Sequence, residues 1–189
     1  KIYNINTELL NYFKDKNSIL IIGNGGSSNK KFLIKKYIKK YDPLVLCLNY
    51  NFFIDSSLID FYIISNLAKL IIEIENFKKI KNKIICSNKN IYTNASKKLN
   101  KNELFHYPTI IKQSFNQKNL NIVPNNLSLT FALTLANLFK CKKVALIGID
   151  GYENDEARNL EIINTINNFK STFKQSKIHF LIKPINFNV

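Results

Sequence analysis

Glycines and small polar residues follow an apolar run near the start of the chain, in the segment Gly23-Asn24-Gly25-Gly26-Ser27-Ser28. Glycine lets the backbone approach a ligand closely, and a serine hydroxyl can cap the helix that follows. The first N–H groups of such a helix attract anions. We therefore predict that these glycines give backbone access to a phosphate group. We also predict that Ser27 or Ser28 caps a helix beginning near Asn29.

The spacing of this loop differs from two nucleotide-binding motifs. A dinucleotide site would have a third glycine where Ser28 stands, and an acidic residue for the ribose where Asn49 stands. A Walker loop needs four residues between its first glycine and a Gly-Lys pair, and that spacing is absent. We therefore expect neither NAD binding nor ATP hydrolysis, and we predict no cofactor.

Apolar runs of strand length alternate with segments of helical period, which is typical of a parallel α/β sheet. The predicted strands cover 18–23, 44–49, 60–65, 83–87, a weaker segment near 108–112, 143–149 and 178–183. The predicted helices cover 7–15, 29–40, 66–80, 127–140 and 155–175. Loops and short helices are expected over 89–125. The pattern predicts one three-layer, Rossmann-like α/β domain over 1–189, with a mostly parallel sheet and helices on both faces.

Small polar residues recur where five predicted strands end. The five ends are Gly23-Asn24, Leu48-Asn49, Ser65-Asn66, Ser87-Asn88 and Ile149-Asp150-Gly151-Tyr152. In an open parallel sheet these ends lie along one edge, and ligands bind in the crevice outside it. The sequence therefore predicts a polar ligand crevice. Each pair taken alone also has a structural explanation, because the same residue types cap helices and form turns.

Asp150 is the candidate catalytic group, because a desolvated carboxylate at a strand end can act as a general base. It can equally cap the turn of the helix over 155–175 or bind a ribose hydroxyl, and we favour this non-catalytic role. Arg158 lies beside Asp155 and Glu156. We interpret it as part of an ion pair on the helix surface, with a phosphate clamp as the alternative.

The basic composition points to phosphorylated ligands more than to nucleic acid. The formal net charge is +15, but Arg158 is the only arginine among the 28 basic residues, and the lysines are spread along the chain. Proteins that read nucleic acid usually rely on arginine for bidentate contacts. We expect no specific nucleic-acid partner, and weak association with an anionic membrane surface stays open.

Three cysteines, Cys47, Cys86 and Cys141, are present without a C-x-x-C motif. We interpret them as buried hydrophobic residues in a reducing cytoplasm, and we predict no metal site. No apolar stretch reaches the length of a membrane span. The chain contains no methionine, so we expect it to be a segment of a longer protein.

Five motifs occur in a fixed order along most of the chain: Ile22-Gly23-Asn24-Gly25-Gly26-Ser27, Cys47-Leu48-Asn49-Tyr50-Asn51-Phe52, Cys86-Ser87-Asn88, Asn126-Leu127-Ser128 and Gly148-Ile149-Asp150-Gly151-Tyr152. This series resembles bacterial family 42 sialyltransferases and the related motility-accessory domains. The chain is also closely similar to a domain that looks like the C-terminal module of aldolase-like proteins encoded in surface-polysaccharide gene clusters.

The resemblance implies that the crevice holds a CMP-sugar. It assigns phosphate and ribose contacts to Asn24 and Ser27, a nucleotide contact to Asn49, a place near the donor to Ser128, and the cytidine or sugar edge to Asp150 and Tyr152. The Cys86-Ser87-Asn88 motif adds Ser87 and Asn88 to the predicted binding residues. The expected ligand is thus a nucleotide sugar or a sugar phosphate.

The chain departs from the family at several positions. Gly26 replaces a proline, and Leu129 replaces a glycine. The transferases carry a lid with tyrosines and a histidine general base, whereas the chain after Tyr152 runs directly into a predicted helix. His179 lies within the last predicted strand, where a packed histidine is expected, and His106 lies in a predicted loop.

Three functions stay open at this point. The leading one is a glycosyltransferase-type domain that uses a CMP-sugar in surface-glycan synthesis. The second is a non-catalytic nucleotide- or sugar-binding module fused to another enzyme such as an aldolase. The third is a sugar-phosphate isomerase, because the segment 23–27 is also similar to a loop of phosphoheptose isomerases. Their later phosphate loop, rich in serine and threonine, has no clear counterpart here.

Overall fold

The computed structural model describes residues 16–99, 103–118 and 121–188, together with Leu9, Asn11, Tyr12 and Lys14. The predicted helix over 7–15 lies largely outside these described residues.

Seven parallel strands form the main sheet of the described residues. The strands are β1 Ser18–Ile22, β2 Leu44–Leu48, β3 Phe61–Ile64, β4 Lys83–Cys86, β5 Leu104–His106, β6 Ile110–Ile111, β7 Ile122–Val123, β8 Lys143–Ile147 and β9 Lys177–Phe180. The order in the main sheet is β5-β4-β3-β2-β1-β8-β9, and β6 and β7 pair separately. The central strands are continuous apolar runs because helices cover both faces of the sheet.

Within residues 16–99, 103–118 and 121–188, five α-helices pack on the two faces: α1 Lys31–Tyr41, α2 Leu67–Phe77, α3 Lys89–Lys98, α4 Ser128–Leu138 and α5 Glu156–Thr172. α1, α2 and α3 contribute to one core with the side chains of Leu20 and Ile22. α4 and α5 contribute to the opposite core with those of Ile19 and Ile21. Alternate residues of β1 thus face opposite layers. This arrangement confirms the predicted three-layer, Rossmann-like α/β fold.

The segment 89–125 is more regular than predicted. It contains the ten-residue helix α3 and the strand β5, which pairs with β4 at the edge of the main sheet. The strand predicted near 108–112 corresponds to β6 in the small sheet instead. α3 is hard to detect in the sequence because it buries only Ile91 and Ala95, one turn apart, among asparagines and lysines.

β1 is the point at which the order of the strands reverses. β2 pairs with one side of β1 and β8 with the other, both in parallel register. The loops that leave the carboxyl ends of β1 and β8 therefore lie side by side. In parallel α/β sheets this reversal point is where ligands bind.

The three cysteine thiols are buried and unpaired. Burial raises the pKa of the Cys86 thiol to about 12 and that of Cys141 to about 11, and it also raises the pKa of Cys47. Because the thiolate is the reactive form, we expect no native reaction with a disulfide reagent at pH 8 within minutes. All three thiols should react in denaturant. Rapid modification of the native protein would contradict the described packing.

Among the described residues no helix combines the length and the apolar character that crossing a bilayer requires.

Candidate functional site

A crevice of about 620 Å³ opens at the carboxyl ends of β3, β2, β1 and β8. Its walls also include the first turns of α4 and α5. Seven of the predicted site residues line it, namely Gly23, Asn24, Gly25, Asn49, Ser128, Asp150 and Tyr152. The fold therefore brings together most of the residues that the sequence assigned to a ligand.

The glycines after β1 and β8 allow the two loops to pack closely together beside the crevice. The Gly23 N–H donates to the Ile147 carbonyl at 2.8 Å, and the Gly25 N–H donates to the Gly148 carbonyl at 2.8 Å. A Cβ atom on Gly23 would lie 2.3 Å from the Gly148 carbonyl oxygen. Gly148 itself has a φ of +71°, in the left-handed region that favours glycine. The β1 and β8 loops thus touch backbone to backbone.

Ser27 joins these two loops and does not cap a helix. Its backbone N–H donates to Asp150 Oδ2 at 2.6 Å, and its hydroxyl donates to Asp150 Oδ1 at 2.5 Å. The same hydroxyl accepts the Gly148 N–H at 2.9 Å. The predicted serine cap is therefore wrong, because the nearly buried carboxylate of Asp150 takes the donors of Ser27. A 3₁₀ turn over Gly26–Asn29 follows, and α1 begins only at Lys31.

Asp150 is 5% exposed, and both of its oxygens accept hydrogen bonds from Ser27. It does not cap α5, since Asp155 does so by accepting the Arg158 N–H at 3.0 Å. The described geometry gives Asp150 the role of a clamp between the loops after β1 and β8.

Asn49 lines the crevice and carries a polar atom without a partner among the described residues. It adopts a left-handed conformation with a φ of +60°, which asparagine tolerates better than most residues. Its Oδ1 atom is buried and has no hydrogen-bond partner among the described residues. A buried acceptor without a partner is costly, so a donor from a ligand would relieve that cost.

Asn51, which sequence reasoning missed, supports the β1 loop from the side of β2. It is 2% exposed, and its Nδ2 donates to the Gly23 carbonyl at 2.8 Å and to Ser28 Oγ at 3.2 Å. Asn24 makes a parallel contact, donating through Nδ2 to the Tyr50 carbonyl at 2.8 Å. The sequence signal that could have identified Asn51 as a site residue is its position two residues after Asn49, at the end of a strand.

The amino end of α4 also lines the crevice. Ser128 Oγ and Ser65 Oγ lie 2.7 Å apart, and Asn126 Nδ2 donates to the Ser65 carbonyl at 3.3 Å. The N-cap residue Leu127 supplies no side-chain acceptor for the first helical N–H groups. The Thr130 N–H donates to the Leu127 carbonyl at 2.9 Å, whereas the N–H groups of Ser128 and Leu129 have no acceptor among the described residues and favour an anion. The amino end of α4 is thus a candidate anion site in the crevice, whereas the start of α1, where the sequence predicts one, does not line the crevice.

Two cations border the crevice, Lys69 on α2 and Arg158 on α5. Arg158 Nε lies 3.3 Å from Asp155 Oδ2, and its guanidinium carbon lies 5.1 Å from the centroid of the Tyr152 ring. The predicted surface ion pair is confirmed, and Arg158 is also a lining residue. Lys69 was not among the predicted site residues.

Asn159 holds the backbone of Tyr152 in place. The Tyr152 N–H donates to Asn159 Oδ1 at 2.7 Å, and Asn159 Nδ2 donates to the Tyr152 carbonyl at 2.8 Å. The Tyr152 side chain itself is 44% exposed at the edge of the crevice. Sequence reasoning missed Asn159, because a single asparagine within a helix carries no distinctive signal.

Gly26, Ser27, Ser87 and Asn88 do not line the crevice. β4, which precedes Ser87 and Asn88, is separated from β1 by two strands. Asn88 instead caps α3 by accepting the Ile91 N–H at 2.9 Å. A Cβ atom on Gly26 would meet nothing within 4 Å.

The two histidines also lie elsewhere. His106 is in β5 and not in a loop as predicted, and its ring contacts Tyr92. His179 is in β9, as predicted for the last strand, and its ring contacts Tyr37. Burial lowers the pKa of both imidazoles, so both favour the neutral form. Neither residue lines the crevice.

The described residues contain no group of three or more His, Cys, Asp or Glu side chains that could hold a metal ion. No protein-family model matches the chain, and comparison with the curated proteins also gives no match.

Proposed function

We propose that the crevice binds a nucleoside monophosphate linked to a sugar, in its most specific form a CMP-sugar, and that the domain serves glycosyl transfer in surface-glycan synthesis. The observation that carries this proposal is the composition of one crevice. A helix end without a side-chain cap and two cations line it, and the lining residue Asn49 has a buried amide oxygen with no donor among the described residues.

The first part of this composition suits a phosphate. The amino end of α4 attracts negative charge, and Lys69 and Arg158 add two positive charges at the border. The backbone N–H groups of Asn24 and Gly151, which also line the crevice, have no acceptor among the described residues. Such groups can hold one phosphate without a metal ion.

The Asn49 side chain suits a pyrimidine base. A carboxamide carries both donors and an acceptor, and cytosine presents an amino donor beside ring acceptors. The buried, unpaired Oδ1 of Asn49 would accept the amino proton. The resemblance of the five sequence motifs to the sialyltransferases supports the same choice of ligand.

One observation favours a second candidate function, a binding module without catalysis. Asp150 is held by Ser27 through both oxygens, and neither histidine lines the crevice. The groups that the sequence offered as bases are thus occupied or distant. In that case the domain would bind the nucleotide sugar, and an enzyme fused to it would carry out the reaction.

A thermal-shift screen at about 150 mM salt tests the binding proposal. CMP at about 100 times its Kd should stabilise the protein by about 2.7 kcal/mol and raise Tm by about 5 °C or more. NAD should give no shift. Inorganic phosphate is the control for the high net charge of the chain. A shift with a hexose or heptose phosphate alone would favour the isomerase, and equal shifts with phosphate and CMP would contradict base recognition.

A further inference from the structure

A second cavity, a groove of about 390 Å³, adjoins the crevice along α5. Its lining includes Gln113 and Pro124 from the segments around the small sheet, and Leu160, Glu161 and Asn164 from α5. The residues that line the groove are distinct from those that line the crevice, apart from Glu161.

The helical period of α5 explains why the two cavities share this residue. Ala157, Leu160 and Asn164 are three or four positions apart and form one stripe of the helix, which lines the groove. Arg158 and Ile162 form the neighbouring stripe, which lines the crevice. Glu161 lies at the boundary of the two stripes and borders both spaces.

The chemistry of the groove differs from that of the crevice. The chain carries 28 basic residues, yet none of the described residues that line the groove is a lysine or arginine. The polar lining consists of amides, a threonine hydroxyl and the Glu161 carboxylate. This set disfavours a phosphate or a nucleic acid, which need positive charge. It suits a neutral ligand whose hydroxyl groups both donate and accept hydrogen bonds.

Some polar side chains of the groove are held in place by hydrogen bonds within the protein, and others make none to the described residues. Asn125 Nδ2 donates to Thr165 Oγ1 at 2.7 Å, and Asn125 Oδ1 accepts the Leu127 N–H at 3.1 Å. Asn125 lines the groove and Leu127 lines the crevice, so the hydrogen bond between them connects the walls of the two cavities. The side chains of Gln113 and Asn164 make no hydrogen bond to the described residues, so their amides are available to a ligand. Leu160, 56% exposed, adds apolar surface for the C–H groups of a sugar ring.

Glu161 and Asp150 are the carboxylates among the described residues of the crevice. Both oxygens of Asp150 bind Ser27. The Glu161 carboxylate makes no ion pair or hydrogen bond with the described residues. Of the two, Glu161 is therefore the one that can accept a proton from a substrate placed between the cavities.

We infer that the groove binds the acceptor, a neutral saccharide, and that Glu161 is the general base at which acceptor and donor meet. This inference rests on the proposed function. In the step, the acceptor hydroxyl oxygen forms a bond to the anomeric carbon of the donor sugar. The bond from that carbon to the phosphate oxygen breaks, and its electron pair leaves with CMP. The hydroxyl proton passes to the Glu161 carboxylate.

The test compares wild type with Glu161→Gln and Asn164→Ala, and uses Glu156→Gln as the matched control. Glu156 is an exposed acid on the same helix that lines neither cavity. CMP affinity is measured by calorimetry. Release of CMP from CMP-N-acetylneuraminate and CMP-3-deoxyoctulosonate is measured with and without lactose or maltose as the saccharide probe.

We expect saccharide-dependent CMP release by wild type and by Glu156→Gln. Glu161→Gln should keep the CMP affinity within about twofold while its release rate falls at least about 100-fold. Asn164→Ala should raise the KM for the saccharide with little change in kcat.

The failures are separable. If CMP binds but Glu161→Gln turns over like wild type, or if wild type shows no saccharide-dependent release, the inference about the groove and Glu161 is overturned and nucleotide binding stands. If CMP does not bind, the proposed function itself fails.

Discussion

Gly23→Ala is expected to lower the free energy of unfolding by at least about 3 kcal/mol. The added Cβ would lie 2.3 Å from the Gly148 carbonyl oxygen and 2.6 Å from Ile149 Cδ1. Relief of this overlap requires the β1 loop to move away from β8 and the loop after it, which would break the hydrogen bonds from Gly23 to Ile147 and from Gly25 to Gly148. Urea denaturation followed by circular dichroism measures the loss.

Gly26→Ala is the matched control, because it adds the same methyl group three residues away, where nothing lies within 4 Å. We expect its free energy of unfolding to stay within about 0.5 kcal/mol of wild type. Equal losses in the two variants would contradict the backbone contact between the loops. The same comparison should show that CMP binding survives in Gly26→Ala.

Asp150→Ala should lower the free energy of unfolding by about 2 to 4 kcal/mol. It removes a carboxylate that is 5% exposed and leaves the Ser27 N–H and hydroxyl without their acceptor. Hydrogen bonds to a charged acceptor are stronger than neutral ones, and a buried donor that loses its partner keeps its desolvation cost. Because Ser27 also binds the Gly148 N–H, the shape of the crevice should change as well.

Asp155→Ala provides the comparison for this variant. Asp155 is a carboxylate five residues away that caps α5 and pairs with Arg158 at the surface. Its loss should cost about 1 kcal/mol, the usual value for a helix cap. If Asp150→Ala were as stable as wild type, the clamp between the loops would be refuted, and a free carboxylate suited to catalysis would be favoured instead.

The main sheet could be predicted because its strands are apolar runs that end at glycine or small polar residues. All residues of β1 and β2 are buried, and both strands are therefore almost entirely apolar in sequence. The edge of the sheet was harder to predict. β5 is three residues long, and α3 buries two side chains, so neither contributes a periodic signal that exceeds its polar surroundings.

The candidate site could be predicted only in outline. Sequence shows that residues lie at strand ends, but the order of strands decides which ends are neighbours. Asn49 and Asp150 line the crevice, whereas Asn88 follows β4, the strand next to β3, and does not line it. The role of Ser27 depends on a carboxylate 123 positions later, which a local capping rule does not take into account. Glu161 became a candidate only when the two cavities on α5 were known.

Calorimetric titration of CMP at about 150 mM salt tests the central claim, that this crevice recognises a pyrimidine nucleotide, most directly. Asn49→Gly removes the unpaired amide while keeping the left-handed backbone, and Asn88→Ser changes an asparagine outside the crevice while keeping a helix cap. Wild type and Asn88→Ser should bind one CMP with equal affinity, and Asn49→Gly should bind at least about tenfold more weakly. Equal CMP affinity of all three proteins, or no binding by wild type, would contradict the claim.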